Sequence, residues 1–313
     1  MTLRLINRSR RCLQFPFLLI SALVAGILIN PGMATAKDVT LSHTGMTLNA
    51  NLELADGKTI GDGIILITHG TFAHNKMEIV ATLQTLFKER GLSTLAINLS
   101  LGVDNRKGVY DCAVPFNHRH SDASQEIAAW VGWLENQGVN NILLVGHSRG
   151  GNQTAMYLVE HDNERIRGAV LIAPATWDYD KASQSYEKSN KVPLAGRLDD
   201  MKKLIAANKG SEMIQNVALL YCPDATVTPD TFVSYYEDHP LKDTPQALKQ
   251  VTEPVMVIAG SDDTVVADLP EKMAKISSPG IRFEVIDDAG HFFRDLYAED
   301  IADLTEDFMA NLP

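Results

Sequence analysis

The sequence predicts an α/β fold, a mostly parallel central sheet with helices on both faces, and three observations lead there. Short β-branched runs alternate with longer segments of helical periodicity, the sequence sign of βαβ units. Several of these runs are apolar almost without interruption, as strands buried on both faces must be. The 313 residues are 45% hydrophobic and 21% charged, enough apolar material for a large core.

Along the chain, residues 39–54 read as two opening strands broken near Gly45, and 63–67 as a third strand with near-continuous apolarity. Further strands are expected at 93–99, 141–145, 169–173, 255–258 and 282–286, each opening or closing near Gly, Pro or a polar turn. Helices fill the gaps. Residues 122–136 carry Ile127, Trp130, Val131 and Leu134 at helical spacing, with Gly138 where a helix commonly stops. The last helix repeats the pattern with Ile301, Leu304 and Phe308. One gap, residues 176–253, spans about 75 residues and is too long for a plain connection. It reads as a partly helical cap inserted in the domain 37–313, the plainer alternative being one sheet-packing helix and a surface excursion.

The first residues belong to another class of sequence. Arg4, Arg8, Arg10 and Arg11 precede an apolar stretch over 15–29, and Ala34-Thr35-Ala36 supplies small residues for cleavage. This is the pattern of a secretory signal peptide over residues 1–36, with an apolar run shorter than the roughly 20 residues of a spanning helix. An exported protein is expected, periplasmic or secreted, with no stable membrane anchoring after cleavage. Cys112 and Cys222 then remain as the only cysteines. In an oxidising compartment they are expected to pair, the alternative being two separately buried thiols. A formal charge of −11 argues against general affinity for nucleic acid.

Chemistry concentrates in three separated segments. The run Ile142-Leu143-Leu144-Val145 leads into Gly146-His147-Ser148-Arg149-Gly150, a buried strand turning into a helix through Gly-x-Ser-x-Gly. A serine hydroxyl is a poor nucleophile unless it is held exposed beside a base, and a tight strand-to-helix turn does this. Downstream come Gly260-Ser261-Asp262-Asp263 after one late strand and Asp288-Ala289-Gly290-His291 after the next. On these motifs the chain resembles the α/β-hydrolase superfamily, in its serine esterase and lipase-like branch, over essentially everything from residue 39 onward.

The resemblance implies a triad in the order nucleophile, acid, histidine: Ser148, Asp263 and His291. Asp263 fits the Gly-x-x-Asp spacing better than Asp262, and Asp178 is a more distant candidate for the acid. It also implies that the backbone N–H groups of Thr71, in Thr68-His69-Gly70-Thr71, and of Arg149 form the oxyanion hole. His69 and His147 are then expected to support their loops by hydrogen bonding. The Arg149 side chain is expected to anchor the helix and loops through salt bridges, or else to face the substrate.

The implied activity is hydrolysis of a small-molecule carboxylic ester through an acyl-enzyme, without a metal or organic cofactor. Amide, peptide and thioester cleavage share the same machinery, and a non-catalytic binding protein on this fold is the alternative of another class. His118-Arg119-His120-Ser121-Asp122 resembles part of the zinc signature of metallo-β-lactamases, but Ala123 stands where a further histidine is required. The expectation is a polar, locally basic loop with Ser121 or Asp122 capping the next helix, and His118, Arg119 and His120 as a candidate substrate loop.

Overall fold

The computed structural model describes residues 36–312, so the leader expected over 1–36 lies outside the described residues except for Ala36. Strands β1 (Lys37–His43) and β2 (Met46–Glu53) form an antiparallel hairpin. Its turn residues Thr44 and Gly45 take φ of 47° and 81°, the left-handed pair that matches the twist of the flanking strands. There follow β3 (Ile64–Thr68), α1 (Glu78–Glu89), β4 (Thr94–Asn98), α2 (Asp122–Asn136), β5 (Ile142–His147), α3 (Arg149–Glu160) and β6 (Ile166–Ile172). Residues 176–253 contain α4 (Tyr179–Asn190), α5 (Leu194–Ala206), β7 (Ile214–Leu219), β8 (Cys222–Val227), α6 (Pro229–Tyr236) and the short α7 (Thr244–Ala247). The chain closes with β9 (Val255–Gly260), α8 (Leu269–Met273), β10 (Ile281–Ile286) and α9 (Tyr297–Ala310).

Eight strands form one sheet in the order β1-β2-β4-β3-β5-β6-β9-β10. From β4 to β10 every pairing is parallel, while β2 meets β4 antiparallel. The predicted mostly parallel α/β fold is therefore the observed one. All residues of β3, β4, β5 and β9 are buried, which explains why these strands read as unbroken apolar runs. On α2, Ile127, Trp130, Val131 and Leu134 face the core as their spacing requires, and Gly138 follows the helix at φ 84°. On α9, Ile301 and Phe308 are buried. Parallel strands bring all their carboxyl ends to one edge of the sheet, the edge where open α/β sheets bind ligands.

Two differences from the sequence reading concern residues 166 and 214–227. β6 starts at Ile166, earlier than expected, because Ile166 is itself buried beside Ile142. The β7–β8 hairpin was not anticipated. Its buried residues Val217, Leu219, Ala225 and Val227 alternate with the half-buried Ala218 and Thr226, but polar residues 215–216 and a shifting register hide the pattern.

That hairpin is stitched to the long loop between β4 and α2. Phe116 N–H donates to Thr226 O at 2.8 Å, and Thr228 N–H donates to Phe116 O at 2.9 Å. The expected disulfide is formed: Cys112 of the loop joins Cys222 of β8, Cα atoms 5.5 Å apart and 110 residues apart in sequence. Closing so long a segment removes entropy from the unfolded chain, by up to about 4–5 kcal/mol in the chain-entropy account. The base of the same loop is held by Glu126 of α2, which accepts from the N–H of Ser100 at 2.8 Å and from the Ser100 hydroxyl.

Two stability measurements follow from this arrangement. Reducing the disulfide, or replacing both cysteines by serine, is expected to lower Tm; an unchanged Tm contradicts a stabilising role for the bond. Burial pushes the Glu126 carboxyl up from 4.5 to about 7, against the opposing hydrogen bonds from Ser100. An unfolded chain loses this proton near the ordinary value, so the Glu126 contribution is whole below about pH 4.5 and declines as pH rises toward 7. Relative to Glu126→Gln, the wild type should lose stability across that interval, and parallel Tm profiles would refute the assignment.

Candidate active site

Ser148 sits between β5 and α3 with φ 56° and ψ −124°, a backbone conformation costly for a residue with a side chain. The surrounding backbone holds it there. Ser148 N–H donates to Ile172 O at 2.9 Å, and Ser148 O accepts from Gly151 N–H at 3.0 Å and Ala175 N–H at 2.9 Å. The turn is possible only where flanking residues lack side chains. A Cβ on Gly150 would collide with the carbonyl oxygens of His69 and Thr68, and one on Gly146 would lie 2.6 Å from Gly150 O.

The ends of β9 and β10 bring the other two side chains to Ser148. His291 Nε2 lies 2.9 Å from Ser148 Oγ, and His291 Nδ1 lies 2.7 Å from Asp263 Oδ2. These two loops touch because Gly260 ends β9 without a side chain, where a Cβ would collide with Ala289 O. Burial acts to raise the Asp263 carboxyl, but bonds from His291 and from the N–H groups of Val266 and Val265 outweigh it and hold it below the usual range. An ionised Asp263 can only accept, so His291 donates through Nδ1–H and its Nε2 is left to accept from the Ser148 hydroxyl. Asp262 is exposed and does not bond to His291. Asp178 accepts from Lys181 N–H at 3.0 Å and caps α4.

Two more histidines bond the loops around this group. His147 Nε2–H donates to His291 O at 2.9 Å, and burial pushes the ring down to about 4, which keeps it neutral. His69 is buried and pushed down to about 3, chiefly by burial and then by the charge of Arg106. Its Nε2 accepts from Leu99 N–H at 3.1 Å and from Arg106 Nη2 at 3.0 Å. The remaining proton is therefore on Nδ1, which donates to Gly70 O at 2.8 Å. Gly70 in turn packs on the Ser148 turn, since its Cβ position lies 3.1 Å from Ser148 Cβ. Sequence reasoning missed Arg106. Its guanidinium is buried and donates to the carbonyls of Leu99, Gly108 and Ala73 and to Asn98 Oδ1. Only its position in a polar loop was visible, and nothing local marks an arginine that folds inward.

The candidate substrate loop requires correction. His118 and His120 are 3% and 2% exposed. His118 Nε2 bonds the Tyr235 hydroxyl at 2.9 Å, and both rings pack edge-on against Tyr235. Burial pushes both well below their ordinary value, so neither adds charge. Arg119 points away and pairs with Asp230 at 2.8 Å. The helix cap also differs: Ser121 makes no capping bond, and Asp122 accepts from Arg119 N–H at 2.7 Å. The loop is thus filled by an aromatic cluster that also includes Phe72, Tyr110 and Phe116, and this filling pulls its histidines inward.

Beside Ser148 lies a cleft of about 450 Å³, lined by Thr71, Ser148 and Arg149 on one side and by Trp177, Lys181 and Tyr221 of the 176–253 segment on another. Among the described residues, no acceptor is bonded to the N–H of Thr71 or of Arg149. The expectation of salt bridges from the Arg149 side chain is not met. Its Nε donates to Thr71 Oγ1 at 2.9 Å, its guanidinium lies over the Tyr235 ring at 5.4 Å, and no carboxylate among the described residues pairs with it.

Residues 64–304 match the family model of the Alpha/beta hydrolase family. Among solved structures, the chain is similar to Est1E of Butyrivibrio proteoclasticus with ferulic acid bound, at TM-score 0.63 and 15% identity over 88% of this chain and 98% of that one. It is similar to the esterase Pf2001 of Pyrococcus furiosus at TM-score 0.58 and 16% identity, over 89% and 92%. It also resembles the alpha/beta hydrolase GrgF of Penicillium sp. sh18 at TM-score 0.59 and 16% identity, over 89% and 99%.

Proposed function

The chain belongs to the alpha/beta hydrolase family, and from that premise we propose that it is a serine hydrolase cleaving a carboxylic ester through an acyl-enzyme on Ser148. The observation that carries this reading is the unbroken hydrogen-bonded line from Ser148 Oγ through His291 to Asp263, at 2.9 and 2.7 Å. As the substrate carbonyl is attacked by Ser148 Oγ, the hydroxyl proton passes to His291 Nε2. Asp263 stabilises the imidazolium through Nδ1–H without taking the proton. The tetrahedral intermediate collapses, the alcohol leaves with the proton from Nε2, and water repeats the sequence to release the acid.

The oxyanion formed on attack needs donors fixed in advance. Thr71 N–H and Arg149 N–H fit that role, since both residues line the cleft with Ser148 and neither N–H has an acceptor among the described residues. His69 supports the first of them. The carbonyl of Gly70 and the N–H of Thr71 belong to one planar peptide unit and point in opposite directions. By holding Gly70 O at 2.8 Å, the His69 ring fixes the direction of the Thr71 N–H.

Residues 176–253 act as a cap in this reading, because they contribute Trp177, Lys181 and Tyr221 to the cleft. An ester is favoured as substrate because structures similar to this one are esterases by name. Export is supported by the leader pattern over 1–36 and by the Cys112–Cys222 disulfide. Among the described residues no helix is long and apolar enough to cross a membrane.

A fluorophosphonate probe should label the folded wild type once, on Ser148, and leave Ser148→Ala unlabelled. His291→Ala should slow labelling by on the order of 10³-fold or more. Labelling that persists in Ser148→Ala, or is absent from the wild type, overturns the proposal.

A further inference from the structure

Among the described residues, one cationic side chain of the cleft, Arg149, has no carboxylate paired with it, and it stands next to Ser148. Arg149 is half-buried between Thr71, whose hydroxyl takes its Nε–H, and the ring of Tyr235. A guanidinium carries five N–H donors, and the four on its two Nη atoms have no protein acceptor among the described residues. The acidic residues of the cleft are occupied elsewhere. Asp268 takes the Thr176 hydroxyl at 2.6 Å and Lys181 at 3.1 Å, and Lys272 lies 3.5 Å from it. Asp178 caps α4.

The charge of Arg149 acts on Lys242, on which Glu237 and Asp238 act the other way. Lys242, which donates to Glu237 O and sits over the Trp177 ring, is pushed down to about 7 by burial first and by Arg149 second. A chain of net charge −11 thus keeps, beside Ser148, an arginine with no carboxylate partner among the described residues. A bidentate carboxylate is the partner whose geometry fits the guanidinium fork.

We propose that Arg149 is the anion subsite of this cleft, and that the preferred ester carries a free carboxylate a few bonds from the scissile carbonyl. The inference rests on the serine hydrolase reading and adds the substrate class. Arg149 then has two separate tasks: its backbone N–H faces the oxyanion, and its side chain binds the distant carboxylate.

The test compares two p-nitrophenyl esters matched in chain length, the half-ester of adipic acid and the hexanoate, in wild type, Arg149→Gln and Arg149→Lys. The wild type should favour the half-ester in kcat/KM. Arg149→Gln should lower the ratio of half-ester to hexanoate kcat/KM about 10–100-fold, the scale of a charged hydrogen bond, with the selective part of the loss appearing mainly in KM. Arg149→Lys should recover part of the loss. An equal fall on both esters, or a wild-type preference for hexanoate, overturns the inference. If neither ester turns over, adipate must slow fluorophosphonate labelling of Ser148 in wild type and not in Arg149→Gln; no protection also overturns it. Absence of labelling at Ser148 instead overturns the hydrolase reading beneath it, and the inference with it.

Discussion

The backbone of Ser148 is held at φ 56°, and the arrangement of the whole site depends on that one conformation. Residues with side chains occupy this region only where the surroundings overdetermine it, at a cost of about 1–3 kcal/mol. Here the constraint comes from the sheet. β5 is buried at the centre between β3 and β6, and the carbonyl of Ile172 at the end of β6 receives the Ser148 N–H. The carbonyl of Ser148 is bonded from both sides, by α3 and by Ala175. The serine side chain is thereby lifted off the strand, and the first N–H groups of α3 are left open beside it.

The partners of Ser148 arrive by the same logic of close backbone approach. Gly260 lets the loop bearing Asp263 touch the loop bearing His291, and Gly150 lets the nucleophile turn press on Thr68 and His69. Each contact is then fixed by a neutral buried histidine. His147 holds the carbonyl of His291, and His69 holds that of Gly70. A protonated imidazole in either position would place an uncompensated charge in the interior, and burial holds both rings well below neutrality. The disulfide adds a covalent tie at the far side, joining the loop after β4 to the hairpin next to Tyr221, which lines the cleft.

Much of this is legible in the sequence, for identifiable physical reasons. Buried parallel strands must be apolar on both faces, so β3, β5 and β9 announce themselves, and the glycines around Ser148 mark where backbone approaches backbone. Ser148, Asp263 and His291 stand out because chain order and strand ends define them, and the fold brings them within hydrogen-bonding distance. What was not legible lies in residues whose partners are distant. Arg106 lies in a polar loop, and nothing beside it in sequence shows that it folds inward onto the carbonyls of Leu99 and Ala73. His118 and His120 read as exposed but are drawn into an aromatic cluster completed by Tyr235, more than a hundred residues on. The β7–β8 hairpin escaped because its register is irregular and its alternation brief. The Arg149 side chain reads either as a salt-bridge anchor or as facing the substrate, because whether a carboxylate lies near it is a fact of three dimensions.

In the serine hydrolase reading, the geometry at Ser148 serves to form a covalent acyl intermediate. Rapid mixing of the wild type with excess p-nitrophenyl acetate, quenched early and read by peptide mass mapping, observes that bond itself. Acetylation should be confined to the peptide containing Ser148, appearing with a burst of p-nitrophenol stoichiometric with enzyme whenever deacylation is the slower step. Turnover of the ester with acetylation of a different residue, or with none trapped on Ser148 under conditions that show a burst, would contradict it.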